Sequence, residues 1–416
     1  MNIGIVTPWF ERGAGNVSMQ YITSLCKKNS VFVYARGGAH YEKSDSKWKN
    51  NLVTYGLRLP SYSRDYIHPT HFKKWIMRHS LEAVFFNEQI SLDIILWMKE
   101  KMPEVKLGAY VDYYTEETMP IFALYDFLIC NTKRHFSAFD WHPQAYYVPW
   151  GTDSKMFRYD GKVSGKSGPV FFHSAGLNPV RKGTDIAVRA FTLLNDKNSR
   201  FVIHSQKKLH FEDKAITSML DNPSIEVIEK TVPPPGLYFL GDVYIYPSRL
   251  EGIGLTIAEA MMSGLPVIVT DFPPMNEFVT GDESGKKIRV SRFTGRPDGY
   301  YWPQSEADVS SLAEQMKFYA DNFTKMSEMK ASARTYAEKN LNWEDRCERV
   351  NEIFSESRIL IHDKAIKEKC RNYIKKRSGD QIQLGKIILS RTPLPAELKS
   401  IIYVAFVEKR WKGSSL

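Results

Sequence analysis

The residues best suited to chemistry lie where a strand pattern gives way to a helix pattern, at positions 246–255 of the 416-residue chain. The strand ends at a proline, two glycines separated by one residue follow, and a helix begins near a leucine. Because glycine has no side chain, a ligand can contact the backbone there. The start of a helix offers free N–H groups and the positive end of the helix dipole. The spacing therefore predicts an anion site at Gly252, Ile253 and Gly254, where the helix near Leu255 begins.

Glu259 is the only charged residue between positions 252 and 270, and it lies one turn into an otherwise apolar helix. A carboxylate that loses water without finding partners is costly, so we expect hydrogen-bond donors around Glu259. Ribose hydroxyls would serve, and so would the N–H groups of the protein itself. The spacing leaves both interpretations open.

Residues 248–266 resemble the Glu-x7-Glu signature of retaining GT-B glycosyltransferases of glycosyltransferase family four, with Glu251 and Glu259 as the two glutamates. In that family the first glutamate and the Gly-x-Gly backbone contact the transferred sugar, and the second glutamate binds the nucleotide ribose. The resemblance implies the sugar-contacting role for residues 251–255 and the ribose-binding role for Glu259.

A second segment, residues 171–185, is similar to the family's loop for the donor diphosphate. Lys182 before Gly183 fits the family pattern, whereas Leu177 occupies the position where the family has an arginine. Arg181 is a candidate to supply the missing charge. Without the resemblance, Arg181 and Lys182 would more often be a solvated pair of cations on the protein surface.

The amino-terminal half carries weaker signals. The resemblance makes Gly15, between the first strand and the first helix, a candidate for contact with the donor phosphates. Asp112 follows a strand where many family members have a histidine, so it is a candidate to orient a sugar hydroxyl or the acceptor; an ordinary surface loop remains the alternative. His135 and the pair Asn87-Glu88 are further candidates.

Short apolar runs alternate with helical patterns along the chain; seven such runs precede residue 151 and five follow residue 169. Non-alternating apolar runs between helices indicate strands covered on both faces, hence parallel, doubly wound sheets. We predict an α/β GT-B architecture with an acceptor-side Rossmann-like domain at 1–158, a nucleotide-sugar-binding one at 159–345, and a closing helix with a basic tail at 346–416. The pattern from 305 to 361 indicates helices.

The formal net charge is +10, and residues 363–416 contribute +8 of it, with 13 Lys+Arg and 5 Asp+Glu. The nearly neutral remainder argues against a nucleic-acid partner at the cleft. Within the tail, residues 393–412 suit peripheral contact with an anionic membrane, or packing on the first domain or a partner subunit. No apolar run reaches the length of a bilayer span, and the four cysteines are scattered. We expect a cytoplasmic protein, or one on a membrane's cytosolic face, and leave a homo-oligomer open.

Transfer from a nucleotide sugar builds negative charge on the leaving diphosphate, which cations and helix dipoles can stabilise. We therefore expect a metal-independent, retaining hexosyltransferase with Lys182, Arg181 and the helix start after Gly254 at the phosphates. It would require no cofactor, use a UDP- or GDP-sugar as donor, and act on a hydroxyl of a glycan, lipid-linked or protein-linked acceptor. Two alternatives stay open: a DNA-modifying GT-B glucosyltransferase and a non-catalytic GT-B binding module.

Overall fold

The computed structural model describes residues 1–10, 12–36, 48, 52–57 and 66–391, with the side chains of the last helix described as far as Arg377. Its architecture consists of two parallel sheets, each covered by helices, and a small antiparallel hairpin. These two sheets confirm the predicted pair of doubly wound α/β domains.

The first sheet has seven parallel strands in the order β3-β2-β1-β4-β5-β6-β7. The strands are β1 (Asn2–Thr7), β2 (Ser30–Ala35), β3 (Val53–Tyr55), β4 (Ala83–Phe86), β5 (Lys106–Tyr110), β6 (Phe127–Cys130) and β7 (Ala145–Tyr147). The helices are α1 (Gly13–Leu25), α2 (Pro69–Arg78), α3 (Asp93–Lys101) and α4 (Lys133–Phe139), with a 3-10 turn at Met119–Leu124. Every residue of β4, β5 and β6 is buried, which explains why their sequences do not alternate.

The second sheet has six parallel strands in the order β10-β9-β8-β11-β12-β13. The strands are β8 (Val170–Gly176), β9 (Arg200–Ser205), β10 (Ile225–Glu229), β11 (Val243–Tyr246), β12 (Val267–Thr270) and β13 (Gly285–Ile288). The helices are α5 (Thr184–Leu194), α6 (Lys214–Met219), α7 (Leu255–Met262), α8 (Val309–Asp321) and α9 (Met326–Asn340). Short 3-10 turns lie at Tyr238–Leu240, Met275–Phe278, Phe323–Lys325 and Trp343–Arg346.

An antiparallel hairpin extends from the second domain, formed by β14 (Val290–Thr294) and β15 (Gln304–Ala307). We call residues 290–307 the bridging hairpin. The expectation of helix from residue 305 onward is wrong for its first residues, because 305–307 belong to β15. The helix α8 begins only after Asp308, whose side chain accepts a hydrogen bond from the Ser311 amide at 2.6 Å.

The chain returns to the first domain after α9. The chain passes between the domains near residue 151 and again near residue 342. These two segments lie side by side, because Thr152 pairs with Asn342 and the ring centroids of Trp150 and Trp343 lie 4.7 Å apart. Helix α10 (Cys347–Glu356) then packs on α1.

The last helix, α11 (Lys364–Arg391), lies against α3 and the turn at Met119–Leu124, with Cys370 fully buried in the first-domain core. The start of the tail therefore packs on the first domain. The segment 393–412 lies outside the described residues, so its membrane contact stays a prediction. Among the helices that the structure describes, none combines the length and the apolar character that a bilayer crossing demands.

Candidate functional site

Two loops of the second domain meet at the carboxyl ends of β8 and β11, which are neighbours in the sheet. Arg249 joins them, because its guanidinium binds both carboxylate oxygens of Asp185 at 2.7 Å and its amide donates to the Arg181 carbonyl at 2.8 Å. Gly183 precedes α5 with φ +70°, and a β-carbon there would lie 2.1 Å from the Pro247 carbonyl oxygen. The close approach of the loops therefore requires glycine at position 183.

Glu251 and Lys182 form a buried ion pair between these loops. Lys182 Nζ lies 2.8 Å from Glu251 Oε1 and donates to the Tyr246 hydroxyl at 2.6 Å. Only 13% of the Lys182 side chain and 7% of the Glu251 side chain are exposed. Burial raises the pKa of Glu251, but the charges of Lys182 and Arg181 outweigh it and hold that pKa at about 2. Burial lowers the pKa of Lys182, against the opposing effect of Glu251.

Arg181 approaches the same carboxylate from the more exposed side. Its Nη1 lies 3.7 Å from Glu251 Oε2 and donates to the Leu250 carbonyl at 3.1 Å. Leu177, at the family's arginine position, is 62% exposed. The structure thus brings Arg181 and Lys182 together on Glu251, while the replacement of the family arginine by Arg181 stays a prediction.

Two helix amino termini face this pair. Helix α5 follows Gly183 and α7 follows Gly254, which has φ +95°, and neither start carries a side-chain cap. Within the described part of the chain, the amides of Gly252, Ile253 and Gly254 donate no hydrogen bond. Uncapped helix ends and unbonded amides beside two cations form a site suited to a phosphate or diphosphate.

Glu259 lies one turn into α7 and is half-buried. The Tyr238 hydroxyl donates a hydrogen bond to its Oε2 at 2.6 Å. This donor is a side-chain hydroxyl and not one of the N–H groups that the sequence suggested, and the ribose-binding role of Glu259 stays a prediction.

Across the cleft, Asp112 is the sequence-predicted residue that approaches the glycine loop. Its Oδ1 lies 2.8 Å from the position that a β-carbon on Gly252 would occupy. Burial and then the neighbouring carboxylate of Glu88 raise the pKa of Asp112 to about 7, although Arg12, which lies 2.9 Å from Glu88, opposes the shift. An acidic group that changes charge near neutrality therefore faces the glycine loop.

Gly15 packs inside its own domain. A β-carbon there would lie 2.2 Å from the Phe10 carbonyl oxygen and 2.9 Å from Trp48. It is Gly13 whose β-carbon position faces α7, 3.9 Å from the Leu255 side chain. Packing alone thus accounts for glycine at position 15, and its phosphate contact stays a prediction.

Sequence reasoning missed Arg134 as a site residue and named His135 as a further candidate. From the start of α4, Arg134 donates to the Glu251 carbonyl and His135 contacts the Gly252 carbonyl at 3.2 Å. Because both side chains contact backbone atoms of the other domain, no sequence motif identifies the pair. The signal that the sequence offers is an arginine and a histidine shortly after the apolar run 127–130.

Two Rossmann-like domains in one chain, joined by contacts at the glycine loop of the second, define the GT-B fold. The structure resembles that of Anabaena HepE in complex with UDP and glucose, with a TM-score of 0.67 and 15% identity over 86% of this chain and 100% of that one. This likeness confirms the predicted GT-B fold. Residues 168–295 match the family model of glycosyl transferases group 1.

Two curated proteins are similar in sequence. The chain is 31% identical over 106 residues to the lipopolysaccharide core biosynthesis mannosyltransferase LpsB of Rhizobium meliloti, across 24% of this chain and 30% of that protein. It is 25% identical over 177 residues to uncharacterized glycosyltransferase 335 of Sulfolobus islandicus rod-shaped virus 1, across 39% of this chain and 51% of that protein. The chain thus spans a third to about half of the length of these relatives, with matches that support a glycosyltransferase.

Proposed function

We propose that the chain is a glycosyltransferase that moves a hexose from a nucleoside-diphosphate sugar to an acceptor hydroxyl with retention of configuration and without a metal. The observation that carries this proposal is the buried Lys182-Glu251 pair between two uncapped helix starts, with unbonded amides beside it. The group 1 match over residues 168–295 covers this site, and the similar HepE structure contains UDP.

In the proposed reaction the diphosphate lies against the helix starts, where Lys182 and Arg181 neutralise the charge that grows as the sugar leaves. These fixed positive groups support metal independence, since they supply the stabilisation that a divalent ion would otherwise give. The amides of Gly252 to Leu255 contact the sugar, and Glu259 binds the ribose hydroxyls.

Asp112 lies on the opposite wall and orients the acceptor hydroxyl, which is carried by a glycan or by a lipid-linked or protein-linked saccharide. The leaving phosphate accepts the proton of that hydroxyl. We assign Glu251 to binding, because a carboxylate with a pKa of about 2 and a bound lysine is a poor proton acceptor.

The first test is thermal unfolding of the full chain with UDP-, GDP- and ADP-sugars. A donor at 100 times its dissociation constant stabilises the folded protein by about 2.7 kcal/mol. We expect a UDP- or GDP-sugar to raise the melting temperature, and we expect Glu259→Gln to weaken that donor at least about tenfold. Glu226→Gln is the control, because Glu226 lies on β10 in an exposed pair with Arg200. Absence of any nucleotide-sugar binding would contradict the proposal.

Catalysis needs a separate measurement, because a binding module would pass the first test. Slow release of nucleoside diphosphate from the donor without acceptor reports turnover, and addition of EDTA tests metal independence. Proton NMR of the product's anomeric signal distinguishes retention from inversion. Binding without turnover across an acceptor panel would favour the binding module, and turnover only with duplex DNA would favour the DNA-modifying alternative.

A further inference from the structure

The glycine loop of the second domain is held by hydrogen bonds from the first domain. Arg134 donates to the Glu251 carbonyl, and His135 Nε2 lies 3.2 Å from the Gly252 carbonyl oxygen. Arg134 is 3% exposed and His135 is fully buried. Two successive carbonyls of the proposed donor loop are therefore fixed by side chains that the second domain does not contain.

The start of α4, which presents these side chains, is itself fixed. Thr132 accepts a hydrogen bond from the His135 amide at 3.1 Å. Glu277 of the second domain accepts from the amides of Lys133 at 2.6 Å and Arg134 at 2.9 Å. The contact is thus reciprocal, because each domain satisfies backbone groups of the other.

The hydrogen-bond partners of His135 determine which ring nitrogen carries the proton. The indole of Trp302, in the bridging hairpin, can only donate, and it reaches the Tyr114 hydroxyl at 2.6 Å. The Gly252 carbonyl can only accept, so the neutral ring needs its proton on Nε2, and the Tyr114 hydroxyl donates its own proton to Nδ1 at 3.0 Å. The ring then carries its proton on Nε2 and donates it to the Gly252 carbonyl. Burial first, and then the charge of Arg134, lower the pKa of His135 well below its ordinary value, so the ring is neutral.

The direction of a carbonyl sets the direction of the next amide. In a trans peptide the C=O and the following N–H point in opposite directions. When the first domain holds the carbonyls of Glu251 and Gly252, the amides of Gly252 and Ile253 are aimed away from it. These amides donate no hydrogen bond among the described residues, so they are oriented and keep their donor capacity.

We propose that His135 is a positioning residue, locked by Tyr114 and Trp302, that aligns the Gly252-Ile253-Gly254 loop for the sugar donor. The inference rests on the proposed function, since the donor is the ligand that the loop would bind. It implies that the donor loop is complete only when the two domains and the bridging hairpin are docked together.

The test uses the full chain with two readouts, the dissociation constant for UDP and the NMR order parameters of the amides at 252–255. His135→Leu should weaken UDP binding about tenfold, as expected for the loss of one buried hydrogen bond. It should also lower the order parameters from about 0.85, the value of rigid backbone, to below about 0.6. His135→Gln, whose amide reaches the place of Nε2, should restore UDP binding to within about threefold of the wild type and return the order parameters to the rigid range. Tyr114→Phe, which frees the ring to change its proton position, should have an intermediate effect.

The matched control is His142→Leu. His142 is another buried histidine of the first domain, and its Nε2 bonds the Tyr125 carbonyl at 3.1 Å, so it satisfies backbone of its own domain. This variant should lose stability without changing UDP binding or the order parameters at 252–255.

Unchanged order parameters in His135→Leu, or an equal loss of UDP binding in His142→Leu, would overturn the positioning role. If the wild type binds no UDP, GDP or ADP, the proposed function fails instead. The order parameters at 252–255 then decide by themselves whether His135 aligns the loop.

Discussion

The ion pair between Lys182 and Glu251 allows a quantitative prediction for Lys182→Met. The substitution keeps most of the volume of the lysine stem but removes the charge that lies 2.8 Å from Glu251. Glu251 would remain buried, with Ser248 and the more distant Arg181 as its partners. Breaking a buried pair from one side leaves a charge without compensation, so the folded state should be strongly destabilised.

The size of the effect follows from the pKa of Glu251. The folded protein lowers it from 4.5 to about 2, and each pKa unit corresponds to about 1.4 kcal/mol, which gives roughly 3 kcal/mol. Burial lowers the pKa of Lys182, so the lysine contributes an opposing cost. The pair as a whole therefore contributes little to the free energy of unfolding. For the double variant Lys182→Met/Glu251→Gln, this free energy should lie within about 1 kcal/mol of the wild-type value.

Urea unfolding at pH 7.5, followed by circular dichroism, would compare the wild type with the single and double variants. The control is Lys155→Met, because Lys155 is 81% exposed in its pair with Glu344 and should show no measurable change. A group with a depressed pKa stabilises above its unfolded pKa and loses that effect as the pH falls through its folded pKa. The deficit of Lys182→Met should therefore shrink between about pH 5 and pH 2.

Two results would refute this reasoning. If Lys182→Met is as stable as the wild type at pH 7.5, the carboxylate does not depend on the lysine. If the double variant is as unstable as the single one, the lysine acts through packing and its charge is irrelevant to stability.

Three further predictions concern separate parts of the chain. Because the pKa of Asp112 is about 7, turnover of the wild type should fall below pH 7. Asp112→Asn should lower the rate and abolish this acid limb of the pH-rate profile. Since an ionised Asp112 is unfavourable in its buried position, the same variant should raise the melting temperature at pH 8. Gly183→Ala should cost at least about 2 kcal/mol in urea unfolding, whereas Gly161→Ala, with φ +76° and open space around it, should cost about 1 kcal/mol. Lys99→Met should cost about 3–5 kcal/mol in thermal unfolding, because it removes the lysine charge that is paired with the fully buried carboxylate of Asp126.

The sequence was sufficient to predict the two parallel sheets, because buried strands form continuous apolar runs. The same criterion missed the bridging hairpin. The residues of β14 are mostly exposed and those of β15 alternate between buried and half-buried, so neither forms an apolar run. A polar hairpin is stabilised by the pairing of its two strands and by its contacts with the other domain. Neither can be predicted from the local amino-acid composition.

The second-domain half of the candidate site was predictable for a related reason. Strand, loop and helix follow one another there, so the glycine loop before α7 could be placed from the order of the elements, and the resemblance added Lys182. The partners of these residues come from other elements: Tyr246, which binds Lys182, ends β11, and His135 lies in the other domain. Contacts between distant segments depend on the completed fold, which a single sequence does not reveal.

The position of Asp112 depends on segments that follow it by nearly two hundred residues or more. Tyr300 donates to the Asp112 carbonyl at 3.3 Å and stacks on Tyr113 with ring centroids 5.4 Å apart, while Lys376 of α11 binds Glu117 at 3.1 Å. The bridging hairpin and the last helix thus contact the two ends of the loop formed by residues 112–117. Since Cys370 is buried in the first-domain core, this helix belongs to the folded first domain. The part of the proposed enzyme around Asp112, where the acceptor would bind, is therefore held by three separate parts of the chain. In the same way, the donor loop of the second domain is held in place by side chains of the first.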